Sequence, residues 1–347
     1  MREASLTLRC GACFVSGFIA MACGGRGSPS GPTPTPTPDP GFTVNVTVFY
    51  DENGNGQLDP GEGVRIPGVS VVIGAGTGTT APGSGVAVVT GVGEGAQTVN
   101  LRTDSLPAYF QPGNPVPVQV PGAADVRYPV ILPIGGNNAN VYLGYGDSIT
   151  YGNGSSDGEG YRLRLLNLLG PYFGRADVQT FGRPGTNSAE GESRVRTWMG
   201  HFDPAYLLIL YGTNDWNDQT CQNKGPDSCF TIDSLRAMVE DVKDAGTLPV
   251  LATIIPGNPA LVPAGRNAWY DDMNVRIKAL AREQNVTLAD LNAEFKAAGS
   301  LSALYADDVH PNDAGYQVMA QGWFKAITRA RSAAASSSRR FGFAFHL

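Results

Sequence analysis

The sequence predicts an α/β protein with a mostly parallel sheet in three layers, preceded by an all-β sandwich module. Beyond residue 140, short apolar runs alternate with amphipathic stretches, the pattern of strands covered by helices on both faces. Between residues 42 and 133, β-branched runs are separated by Gly/Pro turns, the pattern of a sandwich. Composition agrees: 45 glycines and 25 prolines fill about a fifth of the 347 residues, against a usual ~12%. Only 16% of residues are charged, which disfavours a coiled coil or a helical bundle. The hydrophobic fraction of 42% suffices for a core and excludes wholesale disorder. A net charge of −6 argues against nucleic acid or an anionic membrane face as the main partner.

The chain opens on a targeting pattern. Arg2 and Arg9 precede the apolar run Cys10–Ala22, which is too short for a span of ~20 residues but suits a secretory signal over residues 1–22. Ala20-Met21-Ala22-Cys23 resembles a bacterial lipobox, with Ala20 where that pattern usually has Leu. The resemblance implies acylation of Cys23 and an exported, membrane-anchored lipoprotein, placed at the outer membrane, periplasm or cell surface. Residues 23–41 run from Gly/Ser into Thr-Pro repeats, an extended, semi-rigid tether. Of the remaining cysteines, Cys221 and Cys229 fall within one loop and form a possible disulfide in an oxidising compartment.

Residues 42–134 read as the sandwich. Val44, Val46, Val48 and Tyr50 alternate with polar or opposite-facing residues, a strand with one buried face. Runs at 69–73, 86–90, 98–101, 116–120 and 126–132 follow, and about seven strands are expected. The string from Asp51 to Glu62 matches the D-x-[DN]-x-[DN]-G-x5-E calcium loop. Asp51, Asn53, Asn55, the Gln57 carbonyl, Asp59 and Glu62 would supply the six to eight oxygens that calcium takes. Both flanks read as strand, which argues against an EF-hand domain. The loop and the following Pro67-Gly-Val-Ser-Val71 strand resemble the calcium-binding B-repeats of bacterial surface adhesins, a Cna-B-like or prealbumin-like sandwich. The resemblance implies a structural calcium ion. The first lysine of the chain is Lys224, so the Lys–Asn crosslink of some relatives is not available to this module.

Residues 138–331 read as the α/β part. Strands are expected at 141–145, 178–181, 206–211, 249–255 and 286–288, and helices at 161–169, 232–242, 268–281 and 314–330. In such sheets functional groups gather at the carboxyl ends of the strands. The polar motifs stand there: Gly146-Asp147-Ser148-Ile149-Thr150, Gly182-Arg-Pro-Gly185, Gly212-Thr213-Asn214-Asp215, and Asp307-Asp308-Val309-His310 before the last helix. The tail, 332–347, has no assigned role.

Those four blocks, in that order over residues 140–330, resemble the SGNH hydrolases of the GDSL lipase/esterase superfamily. The resemblance implies a flavodoxin-like domain, a Ser148 nucleophile, a His310 base and an Asp307 orienter. It also implies an oxyanion hole made by the Ser148 and Gly185 amides and the Asn214 side chain, with no cofactor for catalysis. Its implied substrates are carboxylic esters, either O-acetylated carbohydrate or short-chain or lysophospholipid esters.

The chemistry asks for these residue types. A serine hydroxyl needs an adjacent base, and a three-residue spacing lets a turn bring Asp307 to one imidazole nitrogen. A neutral amide donates to an oxyanion without adding charge, a contribution of about 3 kcal/mol. Asp308 is the rival orienter, expected to point elsewhere. His201 precedes a strand at the amino end and His346 lies in the tail, which leaves His310 as the candidate base. Thr150 replaces the second glycine of a G-x-S-x-G elbow, and no strand runs into a G-x-G-x-x-G. Two other readings stay open: a calcium-dependent adhesion protein with a vestigial hydrolase domain, and an O-acyltransferase using the same site.

Overall fold

The computed structural model describes residues 41–122 and 125–330. The expected signal segment, Cys23, most of the tether and the tail lie outside the described residues.

Eight strands build the N-terminal part: β1 (Phe42–Tyr50), β2 (Ser70–Ile73), β3 (Gly76–Thr79), β4 (Val86–Val92), β5 (Gly95–Leu101), β6 (Gln111–Pro112), β7 (Val116–Val120) and β8 (Val126–Ile131). They form two four-stranded sheets, ordered β4-β1-β8-β6 and β3-β2-β5-β7. All pairings are antiparallel except β1 with β8. Val44, Val46 and Val48 of β1 face Val71 and Ile73 of β2 and Val99 of β5 in one buried cluster. About seven strands were expected and six runs were located. The two strands without a located run, β3 and β6, read Gly-Thr-Gly-Thr and Gln-Pro and have no apolar alternation.

The second part contains β9 (Asn138–Gly146), β10 (Asp177–Gly182), β11 (Pro204–Leu210), β12 (Leu248–Ala252) and β13 (Thr287–Ala289). Helices α1 (Ser148–Tyr151), α2 (Arg162–Phe173), α3 (Ser188–Glu192), α4 (Val195–Phe202) and α5 (Gln219–Lys224) run through its first half. Helices α6 (Thr231–Asp244), α7 (Arg266–Glu283), α8 (Leu291–Ala297) and α9 (Asp313–Thr328) complete it. The strands form one parallel sheet ordered β10-β9-β11-β12-β13. Counted along this part, that is second-first-third-fourth-fifth, the order of flavodoxin-type sheets. The unanticipated helices α1, α3, α4, α5 and α8 span four to eight residues, too few for a periodic signal. Among the described residues, no helix is long and apolar enough to cross a membrane.

Side-chain alternation along the strands explains the three layers. Tyr206, Leu208 and Leu210 of β11 join α2, α8 and α9 in one cluster, while Leu207 and Ile209 join α4, α6 and α7 in the other. Trp323 of α9 is fully buried beside Tyr161; a core aromatic of that size contributes about 3–5 kcal/mol.

The sandwich shares the first of these clusters. Tyr109, whose φ of 71° is unusual for a bulky residue, reaches the amino ends of β12 and β13. Its hydroxyl donates to the Pro249 carbonyl at 2.5 Å and accepts from the Thr287 amide at 3.0 Å. Backbone bonds from Arg65 to Phe173 and from Gly83 to Tyr172 fasten the sandwich to the end of α2.

Candidate active site

Strand register brings the motifs together. At the carboxyl edge of the sheet, Gly146 of β9 pairs with Gly182 of β10 on one side and Leu210 of β11 on the other. The residues that follow these three positions are therefore neighbours in space. A Cβ on Gly182 would lie 2.1 Å from the Tyr151 backbone nitrogen, so only glycine lets β10 end against α1. Beyond it, the turn Arg183–Thr186 closes through Arg183 as acceptor and passes through Gly185 at φ 78°.

Ser148 is the first residue of α1, and its N-cap Asp147 accepts the Ile149 amide N–H at 2.9 Å. The Tyr316 hydroxyl of α9 lies 3.0 Å from the Ile149 carbonyl and 2.6 Å from that of Asn153. This contact fixes the short helix from behind. Asn312 caps α9 and also donates to Ala303 and Tyr305 carbonyls, which holds the Asp307–His310 turn just ahead of the helix.

The structure places Ser148, His310 and Asp307 in one line. His310 Nε2 is 2.8 Å from Ser148 Oγ, and His310 Nδ1 is 2.7 Å from Asp307 Oδ2. Asp307 Oδ1 accepts the backbone N–H groups of Val309 and His310. Partial burial pushes the Asp307 carboxyl up, but those hydrogen bonds outweigh it and leave the group below the ordinary carboxylate range. An ionised Asp307 keeps the proton on Nδ1 and presents the Nε2 lone pair to the serine. Asp308 turns away, with its carboxylate 3.5 Å from Arg266.

Asn214 links the residue before Ser148, Asp147, to the residue after Gly185, Thr186. Among the described residues, no acceptor takes the amide N–H of Ser148 or Gly185. Asn214 Nδ2 donates to the Thr186 carbonyl at 2.9 Å, and the second of its two N–H groups makes only a long contact of 3.5 Å to Asp147 Oδ2. His201 packs against Trp198 and Phe202 near the end of α4, just before the amino end of β11. His346 lies outside the described residues.

Sequence reasoning missed Asp215, which is fully buried. It accepts the Ser188 amide at 2.9 Å, the Ser188 hydroxyl at 2.6 Å and the Thr231 hydroxyl at 2.5 Å. One carboxylate thereby ties the Gly185 block to the Asn214 block. Burial holds its carboxyl above the ordinary carboxylate range, and these bonds offset that only in part. Its place beside Asn214 in the Gly-Thr-Asn-Asp string was the available signal. Cys221 and Cys229 are disulfide-bonded, with Cα atoms 4.4 Å apart. The loop they close abuts Thr231, whose hydroxyl lies 3.1 Å from Cys229 Sγ.

The acidic loop of the sandwich is knitted by its own amides. Asp51 accepts N–H groups of Gly54, Asn55 and Gly56, and Glu62 accepts those of Glu52 and Asp59. Asp51 and Glu62 are nonetheless 4% and 5% exposed, and among the described residues neither forms an ion pair with a cationic side chain. The all-oxygen donor set fits calcium in chemistry. Asn53 and Asn55, however, turn their amide nitrogens toward Asp59, so both amides would rotate to present oxygen. As arranged, no three His, Cys, Asp or Glu side chains among the described residues converge as a metal site.

The GDSL-like Lipase/Acylhydrolase family profile matches residues 145–318. No curated protein matches the chain. A solved member of the lipolytic protein G-D-S-L family from Veillonella parvula is 21% identical, covering 55% of this chain and all of its own, with a TM-score of 0.47. A variant of an acetyl xylan esterase from Geobacillus stearothermophilus is 22% identical, covering 57% of this chain and 98% of its own, with a TM-score of 0.46.

Asp147 gives the site a pH signature. Full burial raises its carboxyl to about 7, against partial relief from the Ile149 amide and the His310 side chain. A raised carboxyl holds its proton more tightly in the fold than in the unfolded chain. The stability this confers is complete below the unfolded value near 3.8 and is lost as pH rises through about 7. Urea unfolding from pH 4 to 8 should therefore show a decline in stability that Asp147→Asn lacks; identical slopes would contradict the raised value.

Proposed function

The chain belongs to the GDSL-like lipase/acylhydrolase family and is a hydrolase; from that premise we propose a serine esterase that works through an acyl-enzyme on Ser148. One observation carries the reading: the line Asp307–His310–Ser148, closed by contacts of 2.7 and 2.8 Å. Ser148 Oγ attacks the ester carbonyl carbon while His310 Nε2 takes its proton. The carbonyl oxygen becomes an oxyanion facing the amides of Ser148 and Gly185 and the Asn214 side chain. As the carbon–oxygen bond breaks, the imidazolium returns the proton to the leaving alcohol. Water, deprotonated by the same nitrogen, then attacks the acyl-enzyme and releases the acid. Asp307 stays ionised throughout and stabilises the transient imidazolium.

Ser148→Ala should cut hydrolysis of p-nitrophenyl acetate by about 10⁴-fold or more and abolish labelling by a fluorophosphonate. Unchanged turnover would refute the assignment. We place O-acetylated carbohydrate first among substrates and short-chain or lysophospholipid esters second. Release of acetate from acetylated glycans, set against release of fatty acid from lysolipids by the same preparation, decides between them. An absence of both would discard the substrate class.

The lipobox-like Ala20–Cys23 string supports acylation of Cys23 and display on a membrane facing away from the cytoplasm. Full-length protein should enter the detergent phase on Triton X-114 partitioning, and Cys23→Ser should move it to the aqueous phase. Equal partitioning of the two would dismiss the anchor.

In the sandwich, Asp51, Asn53, Asn55, Gln57, Asp59 and Glu62 would hold a calcium ion by side-chain and carbonyl oxygens, balancing the negative charge of the loop. Its role is structural, because the loop contributes nothing to the Ser148 line. At 100 times its dissociation constant, calcium stabilises a protein by about 2.7 kcal/mol. EGTA should therefore lower the melting temperature by several degrees, restored by calcium, with turnover at 25 °C unchanged. A melting curve indifferent to both reagents would remove calcium from the account.

A further inference from the structure

We infer that Arg266, which stands outside all four motifs, is a positioning residue that sets the oxyanion block and the acid–base turn in register. The inference rests on the esterase reading of that site. Arg266 opens α7 and is 5% exposed. Its Nη2 donates to the Thr213 carbonyl at 3.2 Å, and its Nε donates to the Tyr270 hydroxyl at 2.6 Å. That hydroxyl donates in turn to the same Thr213 carbonyl at 3.0 Å. Thr213 immediately precedes Asn214, so two donors fix the peptide that launches the oxyanion amide.

The other arm of the guanidinium reaches the acid–base turn. Nη1 lies 3.5 Å from Asp308 Oδ2, and Asp308 stands between Asp307 and His310. The Asp308 carbonyl also accepts the Asn258 amide at 2.8 Å, and the Asp307 carbonyl takes the Asn258 side chain at 3.3 Å. The turn is thus held by its backbone from one side and by its spare carboxylate from the other. A planar cation with several donors in fixed directions can serve two such partners at once, whereas an ammonium cannot reproduce that fork. Burial makes the arrangement strict, since a guanidinium removed from water needs its partners. Arg266 touches neither Ser148 nor His310, so its effect on chemistry passes through Thr213 and Asp308.

Wild type, Arg266→Lys, Arg266→Gln, Asp308→Asn and the Gln/Asn double variant are compared on p-nitrophenyl acetate, with thermal melting and fluorophosphonate labelling alongside. Misplacement by an ångström typically costs about 10²-fold. Arg266→Gln should lose about 10–100-fold in kcat with KM within about threefold. Arg266→Lys, which keeps the charge, should fold like wild type and still lose kcat. Asp308→Asn should lose less, and the double variant should lose no more than Arg266→Gln alone. Wild-type kcat in folded Arg266→Lys overturns the inference, as do losses that add independently in the double variant. A wild-type protein inert to both ester and fluorophosphonate overturns the esterase reading, and this assignment falls with it. Activity in the wild type alongside unaffected variants overturns this assignment alone.

Discussion

The parallel pairing at the end of β9 is the constraint on which the rest of the site depends. Gly146 sits between Gly182 and Leu210, and a one-residue slip in either pairing would carry Gly185 or Asn214 out of reach of Ser148. Hydrogen bonding in a parallel sheet fixes such a register to within a residue, and the alternating burial of β11 locks it further. Shifting β11 by one position would send Leu207 and Ile209 to the face now occupied by Tyr206 and Leu208. Core packing, rather than any contact inside the site, therefore sets the distances on which chemistry depends.

Around that edge the structure adds polar clamps, each joining two loops that the sheet alone would leave free. Asp215 joins the second and third blocks, Tyr316 joins α9 to the serine helix, and Asn258 braces the Asp307 turn. Their logic is the same: buried polar groups with complete partners are rigid because any displacement leaves one unsatisfied. A serine–imidazole pair gains little from proximity if either loop wanders. Preorganisation is what makes the oxyanion donors worth more here than in water.

Much of this was legible in the sequence, for reasons that can be named. Strands of β-branched and apolar residues ending in Gly-Asp-Ser, Gly-Arg-Pro-Gly or Gly-Thr-Asn-Asp announce themselves locally, because period and turn chemistry are short-range properties. The three-residue spacing of Asp307 and His310 is likewise local. What stayed hidden was non-local: Asp215 with Thr231, Arg266 with Thr213 and Asp308, and Tyr109 with Pro249 have no signature in their neighbours. Strand β3, Gly-Thr-Gly-Thr, owes its existence to β2 alongside it rather than to its own propensity.

The same distinction bears on how the sandwich relates to the hydrolase part. A module joined by a free linker would keep its own core, and changes in one part would leave the other untouched. Here the buried cluster runs from Val46 of β1 through Phe110 and Phe173 to Trp323, so the two parts have no apolar boundary between them. Glu52 of the acidic loop sits 3.4 Å from Asn140 at the start of β9, and 3.9 Å from Arg175 between α2 and β10. The loop thus borders the amino ends of the two strands whose carboxyl ends present Ser148 and Gly185. The sandwich therefore packs against the end of the sheet opposite the reacting atoms, through the shared core and the Tyr109 and Glu52 contacts.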